Sequence, residues 1–372
     1  MSRSIAQMAI PGRFALALAS VALPIAAAAQ SVVFIDPGKS DEAYWVTSAQ
    51  AMQSAAKALG MKLEVLYAER DHLRTVEFAR QVASRPKHER PDFAIVTNDN
   101  ATGAEQLRIL DAAGVKTFFA YSSIPAADRA ATGGPRERYK GWLGSLEPHA
   151  EDAGYVTARA LIEQGRSAGA RGADGKLHLI AIAGDRTTPS SAARNDGMRR
   201  AVTEAGDTVI EQTVYAGWGR DKAAEQAEWL YARYPEARLV WAGNDLMAFG
   251  AMASLEKAGK VPGKDAFFSG VNTSREAMDA LRSGRLTALA GGHFITGAWT
   301  LVMLYDYAHG HDFASEGLDL DRSMFTNFDA RSAEVYLARF GENFDAVDFR
   351  RYSKALNPKL ARYDFDFGQL LR

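Results

Sequence analysis

WAGNDLMAFGAMASLEKAGK, residues 241–260, decides how the rest of the chain is read. It opens on the end of an apolar run, 238–244, and breaks at the polar pair Asn244–Asp245. Leu246, Phe249, Met252 and Leu255 then recur at helical spacing. A strand that ends in polar residues and feeds an amphipathic helix is one βα unit. The pattern repeats: short β-branched runs at 31–36, 62–69, 92–98, 115–122, 176–184, 208–216, 265–271 and 286–292 alternate with helical segments. One of these carries Trp45, Ala49, Met52, Ala56 and Leu59 on a single stripe. Such alternation predicts parallel sheets with helical crossovers.

More than eight such units can close one barrel or form two open sheets. Three features favour two sheets. The spacer Ile124–Lys140 interrupts the alternation. A new strand, GWLGSL at 141–146, then leads into a long helix pattern over His149–Glu163. Several strands also end in polar residues: Asp36, Asn98, Ser122, Asp185, Asn244 and Asn272. In open α/β sheets ligands bind beyond the carboxyl ends of strands, so two rows of such ends predict a cleft. From about Met324 the chain is less regular. FDARSAEVYLARF reads as a further helix, and the aromatic segment after it as a tail packed on the body.

The chain has 372 residues, 47% hydrophobic and 24% charged, enough for one large or two medium cores. A net charge of −1 offers no bulk field to gather nucleic acid or an acidic membrane. With no cysteine, disulfides, thiolate metal sites and cysteine nucleophiles are excluded. The first thirty residues carry Arg3 and Arg13, no acid, an apolar run from Phe14 to Ala29, and small residues at Ala27–Ala29. They read as an export signal cleaved near Ala29 or Gln30, which predicts a periplasmic protein. The alternative, a membrane anchor, is disfavoured because the run is short, alanine-rich and interrupted by Pro24.

Residues 241–260, together with AIAGDRTTPSSAARNDGMRRAV at 181–202, resemble the type I periplasmic binding proteins of sugar ABC transporters, the ribose-binding group in particular. The SAARxxG element (Ser191–Gly197) and the NDxMAxGAxxxLxxAG element (Asn244–Gly259) fall in the family's order, over almost the whole mature chain. Regulators of the lactose-repressor type share this body but add a helix-turn-helix, which this chain lacks. The resemblance implies two Rossmann-like α/β lobes with parallel sheets and a three-strand hinge. It places the crossings near Gly144–Ser145, Gly291–His293 and Met324–Asn327. The implied division is 1–29 as signal, 30–144 with 293–325 as the N-terminal lobe, and 145–292 with 326–372 as the C-terminal lobe and tail.

The resemblance also implies a sugar held between aromatic rings, with its hydroxyls bonded by planar polar side chains. Tyr44 and Trp45 fall where relatives carry a Phe-Phe pair, and Glu42 where they carry a ligand-binding Asn. Trp45 also lies on the core stripe of its helix, and Glu42 also suits a first helical turn. Trp218, between Gly217 and Gly219, matches a second stacking aromatic. Arg194 matches a retained arginine; a surface salt bridge is its alternative. Asp196 stands where the ribose group has a sugar-contacting Arg. Asn244 is the leading polar candidate, with Asp245 expected as the helix N-cap. Asn272 stands where an Asp is usual, with a cap as its alternative, and His293 lies at a hinge crossing. Ala120–Tyr121 replaces an Asp-Arg pair. These departures disfavour ribose and point to another polyhydroxylated ligand, with an amino group facing Glu42 and Asp196 as one form.

The expected partners are this small molecule and an ABC permease or, alternatively, a membrane kinase or chemoreceptor; a monomer is the family default, and no cofactor is expected. Catalysis is the rival class. No GxSxG or HExxH pattern is present, and the strand–loop–helix at 181–202 lacks the lysine signature of a phosphate loop.

Overall fold

The computed structural model describes residue 1 and residues 29–372. The expected export signal falls on residues outside those described. In chain order the elements are β1 (Ser31–Asp36), α1 (Ala43–Leu59), β2 (Lys62–Tyr67), α2 (His72–Ser84), β3 (Phe93–Val96), α3 (Gly103–Ala112), β4 (Lys116–Ala120), β5 (Trp142–Pro148) and α4 (Ala150–Ser167). There follow β6 (Leu177–Ala183), α5 (Pro189–Ala205), β7 (Thr208–Tyr215), α6 (Arg220–Arg233), β8 (Leu239–Ala242), α7 (Asp245–Lys257), β9 (Phe267–Val271) and α8 (Arg275–Arg282). The last are β10 (Ala288–Gly291), α9 (Thr296–Ala308), β11 (Asp319–Arg322), β12 (Thr326–Phe328) and α10 (Ala330–Phe340).

Two six-stranded sheets result, ordered β11-β5-β4-β3-β1-β2 and β12-β10-β9-β8-β6-β7. All pairings are parallel except β10 with β12. The runs that read as continuously apolar are buried on both faces, as parallel strands covered by helices must be. In β1, Val32 and Phe34 join one core and Val33 and Ile35 another. In β6, Ile180 and Ile182 face one core, and Leu179 and Ala181 the other.

The chain passes between the sheets three times. The first passage falls after Pro148, because β5 keeps pairing with β11 as far as Pro148, beyond the expected Gly144–Ser145. The others fall after Gly291 and between Arg322 and Thr326. The segment after β12 differs from a tail confined to the second sheet's half. Helix α10 packs on α8, but a 3-10 turn at Phe349–Tyr352 packs on α1 and α9 of the first half.

The SAARxxG element has a packing role. A Cβ on Gly197 would lie 2.0 Å from the Glu151 carbonyl oxygen, and one on Gly154 1.8 Å from that of Arg194. Helices α4 and α5 therefore meet backbone to backbone, which only glycine permits, and this contact fixes Arg194.

Candidate ligand-binding site

Glu42, Tyr44, Trp45, Tyr121, Arg194, Trp218, Asn244, Asn272 and His293 line one cavity between the sheets, together with Arg70, Asp99, Pro148 and Ser190. Asp196 is not among them. It is exposed on α5, because two residues beyond Arg194 is about 200° around the helix. An amino group facing Asp196 is thereby excluded.

β1 ends at Asp36, whose Oδ1 accepts from the Gly38 N–H at 2.8 Å. Burial pushes this carboxyl well above its usual range, and Oδ2 has no partner. The Trp45 ring packs so tightly on the loop that a Cβ at residue 38 would sit 1.8 Å from it. Trp45 is thus both core and cavity wall, and its Nε1 has no partner. Tyr44 lies edge-on to Trp45 with centroids 4.8 Å apart, and stacks on His293 at 4.8 Å and 26°.

Glu42 immediately precedes α1 but makes no capping bond. Its carboxylate takes Nε of Arg70 at 2.8 Å and also pairs with Nη2. It is therefore half of an ion pair rather than a free acid. Burial opposes the Arg70 cation, but Glu42 outweighs it and raises the pKa. Asp99 follows β3, and its Oδ1 accepts from Ser122 Oγ at 2.9 Å. Burial lifts this carboxyl to about 6, against the pull of Arg70. Tyr121 spends its hydroxyl on structure: it pairs with Ser48, accepts from Gly297 N at 2.9 Å and donates to Phe294 O at 3.1 Å. Only its ring is left for the cavity.

On the other wall Arg194 is buried, not a surface ion pair. Nη1 donates to Gly243 O at 2.7 Å and Nη2 to His293 Nε2 at 3.0 Å, while Nε has no partner. Burial lowers its pKa to about 10. With Nε2 accepting from Arg194, the hydrogen of His293 is assigned to Nδ1, which has no partner. Burial pushes His293 well below its ordinary value, so the ring is neutral. Trp218, at φ 67°, sits 5.5 Å from the Arg194 guanidinium and donates from Nε1 to Asp185 Oδ2 at 2.8 Å.

Asn244, not Asp245, caps α7: Oδ1 accepts from Met247 N at 2.8 Å, and Nδ2 donates to Trp218 O at 3.1 Å. Asp245 instead accepts from Asn272 Nδ2 at 2.8 Å and Ser274 Oγ at 2.5 Å. Ser274, not Asn272, caps α8. Arg70 and Asp99 escaped the sequence reading, although both follow strands just as Asp36 and Asn244 do. Asn98, one residue earlier, drew attention instead, and its amide is consumed by Ser123 O and Gly103 N. Among the described residues no group of side chains could hold a metal ion.

Residues 32–312 match the model of a periplasmic binding protein domain. The structure is similar to that of a periplasmic sugar-binding protein from Pseudomonas fluorescens, with 37% identity, a TM-score of 0.83, and coverage of 92% of this chain and 100% of that one. A curated relative, the D-apiose import binding protein of Paraburkholderia graminis, is 24% identical over 265 residues, 71% of this chain and 76% of the relative. An ABC transporter periplasmic solute-binding protein from Actinobacillus succinogenes with bound D-allose shares the fold, at 18% identity and a TM-score of 0.69, over 82% of this chain and 100% of that one. Matched over most of its length, and built on two parallel sheets facing one cleft, the chain belongs to the type I periplasmic binding proteins, a family of solute-binding proteins.

Proposed function

We propose that this protein captures one small polyhydroxylated ligand, a sugar, in the cleft between its two halves and delivers it to an ABC permease. One observation carries the reading. Asp36 Oδ2, Trp45 Nε1, Arg194 Nε and His293 Nδ1 are buried polar atoms without partners, and all belong to the walls of one aromatic cleft or the strand end beneath it. Buried polar groups are normally bonded, so four in one place suit a ligand that brings its own donors and acceptors. Sugar binding in the Pseudomonas relative and D-apiose import in the Paraburkholderia relative support the class.

Membership of this family implies a periplasmic location, and residues 1–29 are the proposed export signal. The protein is read as a monomer of two lobes that close by binding alone, with no chemical step. A membrane kinase or chemoreceptor is the alternative recipient. Neighbouring reading frames for a permease and ATPase, or for a signalling receptor, decide between the two.

A thermal-shift screen of monosaccharides, polyols and nucleosides tests the proposal. A ligand at a hundred times its Kd adds about 2.7 kcal/mol to stability. The absence of any stabiliser would refute sugar binding. A shift unchanged in the double variant Trp218→Ala, Asn244→Ala would refute the site.

A further inference from the structure

Arg70 and Asp99 meet the cavity from the loops that follow β2 and β3, the strands on either side of β1, and both keep one valence open. Arg70 is delivered by an unusual turn: Glu69 and Arg70 both adopt left-handed backbone, at φ 56° and 63°. The turn is held by Glu69 N donating to Gly38 O at 2.9 Å and Arg70 N to Pro37 O at 3.1 Å. Two consecutive non-glycine residues in that region persist only where the surroundings enforce them, and such strain gathers at functional sites. Its product is a guanidinium aimed into the cleft, its side chain 23% exposed and its partner Glu42 8%.

Glu42 takes Nε and Nη2, which fixes the plane of the guanidinium. Nη1 makes no hydrogen bond among the described residues. Asp99 spends Oδ1 on Ser122, and Oδ2 makes none. A fixed donor thus stands with a fixed acceptor on one wall. A hydroxyl both donates and accepts, so two neighbouring hydroxyls satisfy such a couple. A ligand carboxylate has nothing to donate and meets Asp99 on this wall.

We propose that Arg70 and Asp99 form the specificity-determining couple of the cleft, recognising a vicinal hydroxyl pair on a neutral sugar. Arg70 Nη1 donates to one oxygen, and Asp99 Oδ2 accepts from the next. Glu42 is the positioning residue that holds the guanidinium. The class is a neutral sugar or polyol with a vicinal diol, and sugar acids are rejected. This deepens the sugar-binding reading and rests on it.

Calorimetric titration of the full protein with D-apiose, D-allose, D-galactose and myo-inositol, their monodeoxy analogues and D-galacturonate tests the couple. For the sugar that binds, removing either hydroxyl of one adjacent pair is expected to weaken binding about 100-fold in the wild type, since a site built to bond a hydroxyl leaves buried polar groups unanswered without it. In Asp99→Asn and Arg70→Lys that penalty shrinks, as it does in Glu42→Gln, which loosens the guanidinium. The deoxy series on wild-type protein stands even if a variant folds poorly. Binding of no sugar refutes the sugar-binding reading itself. A sugar that binds with no deoxy penalty, or equally well to both variants, or no better than galacturonate, refutes the couple and leaves that reading intact.

Discussion

At the cleft, His293 and Arg194 each leave a buried nitrogen without a partner; at the junction between the C-terminal segment and α9, Asp306 answers every donor offered to it. Its carboxylate takes the hydroxyl of Ser353, the N–H groups of Lys354 at 2.7 Å and Ala355 at 3.1 Å, and the hydroxyl of Tyr363 at 2.9 Å. Around it Phe365 stacks on Trp299 at 5.0 Å and 11°. Farther along, Phe367 lies 5.3 Å from Phe294, beside the second passage between the sheets. Both regions are buried and aromatic. They differ in whether the ionisable side chains are closed by the chain itself, as Asp306 is and Arg194 and His293 are not. The segment after β12 closes the Asp306 carboxylate and so ties the first half to the second, while Trp299 Nε1 and Tyr352 Oη beside it make no hydrogen bond. The cleft keeps Arg194 and His293 open, as a surface that meets a ligand must.

The largest expected effect breaks the closed region. Asp306→Ala strands four donors and is expected to cost about 3 kcal/mol of stability, measured as a lower urea midpoint. Amide exchange over residues 349–365 should rise with it, while sugar affinity shifts by less than about twofold. Affinity that falls further than stability would show the two regions are not separable. Trp218→Ala attacks the open region. Sugar affinity is expected to fall about 100-fold through loss of the stacking face, with a stability change below about 1 kcal/mol.

Asn244 lies between these cases, because its amide serves the fold as well as lining the cleft. Asn244→Ala is expected to cost about 1–2 kcal/mol in thermal or urea unfolding, through the lost cap. Asn244→Asp keeps the capping oxygen and should recover most of that stability while losing the bond to Trp218 O. If affinity recovers together with stability, Asn244 acts on ligand only through the cap.

The fold was legible because the βα alternation is strong and the strands are apolar on both faces. Of the six polar strand ends read from the sequence, Asn244 and Asn272 line the cavity, while Asp36, Asn98, Ser122 and Asp185 do not. What the sequence left unresolved was which atoms of each residue remain available. Glu42 reads as a free acid until Arg70, 28 residues away, is seen to neutralise it. Asn244 and Tyr121 line the cavity while their polar atoms serve a helix cap and the hinge. Asp196 shares a motif with Arg194, but the helical turn sends it outward. Strand ends are local patterns; hydrogen-bond partners depend on long-range register. The path of the C-terminal segment depends on aromatic contacts such as Phe365 on Trp299, which no periodicity announces.

The smallest expected effect concerns Asp99 and sets stability against affinity within one residue. Burial lifts its carboxyl to about 6 in the folded chain, from about 3.9 when unfolded. Between those values the folded protein holds a proton that the unfolded chain has lost. Asp99 therefore adds stability as pH falls through 6, in full below about 3.9, and loses it as pH rises through 6. At pH 5 the gain is about 1 kcal/mol relative to pH 7. A ligand hydroxyl that donates to the ionised carboxylate has the opposite preference, so affinity should weaken about tenfold over the same interval. Asp36, Glu42, Tyr44, Arg70, Arg194 and the facing Asp185 also act on this carboxyl. All of them remain in Asp99→Asn, so the difference between wild type and variant isolates the one group. Denaturant unfolding and calorimetry at pH 5 and pH 7 should show wild-type stability rising relative to the variant while its relative affinity falls. If both move in the same direction, Asp99 belongs with the closed groups of the fold, and the ligand does not touch it.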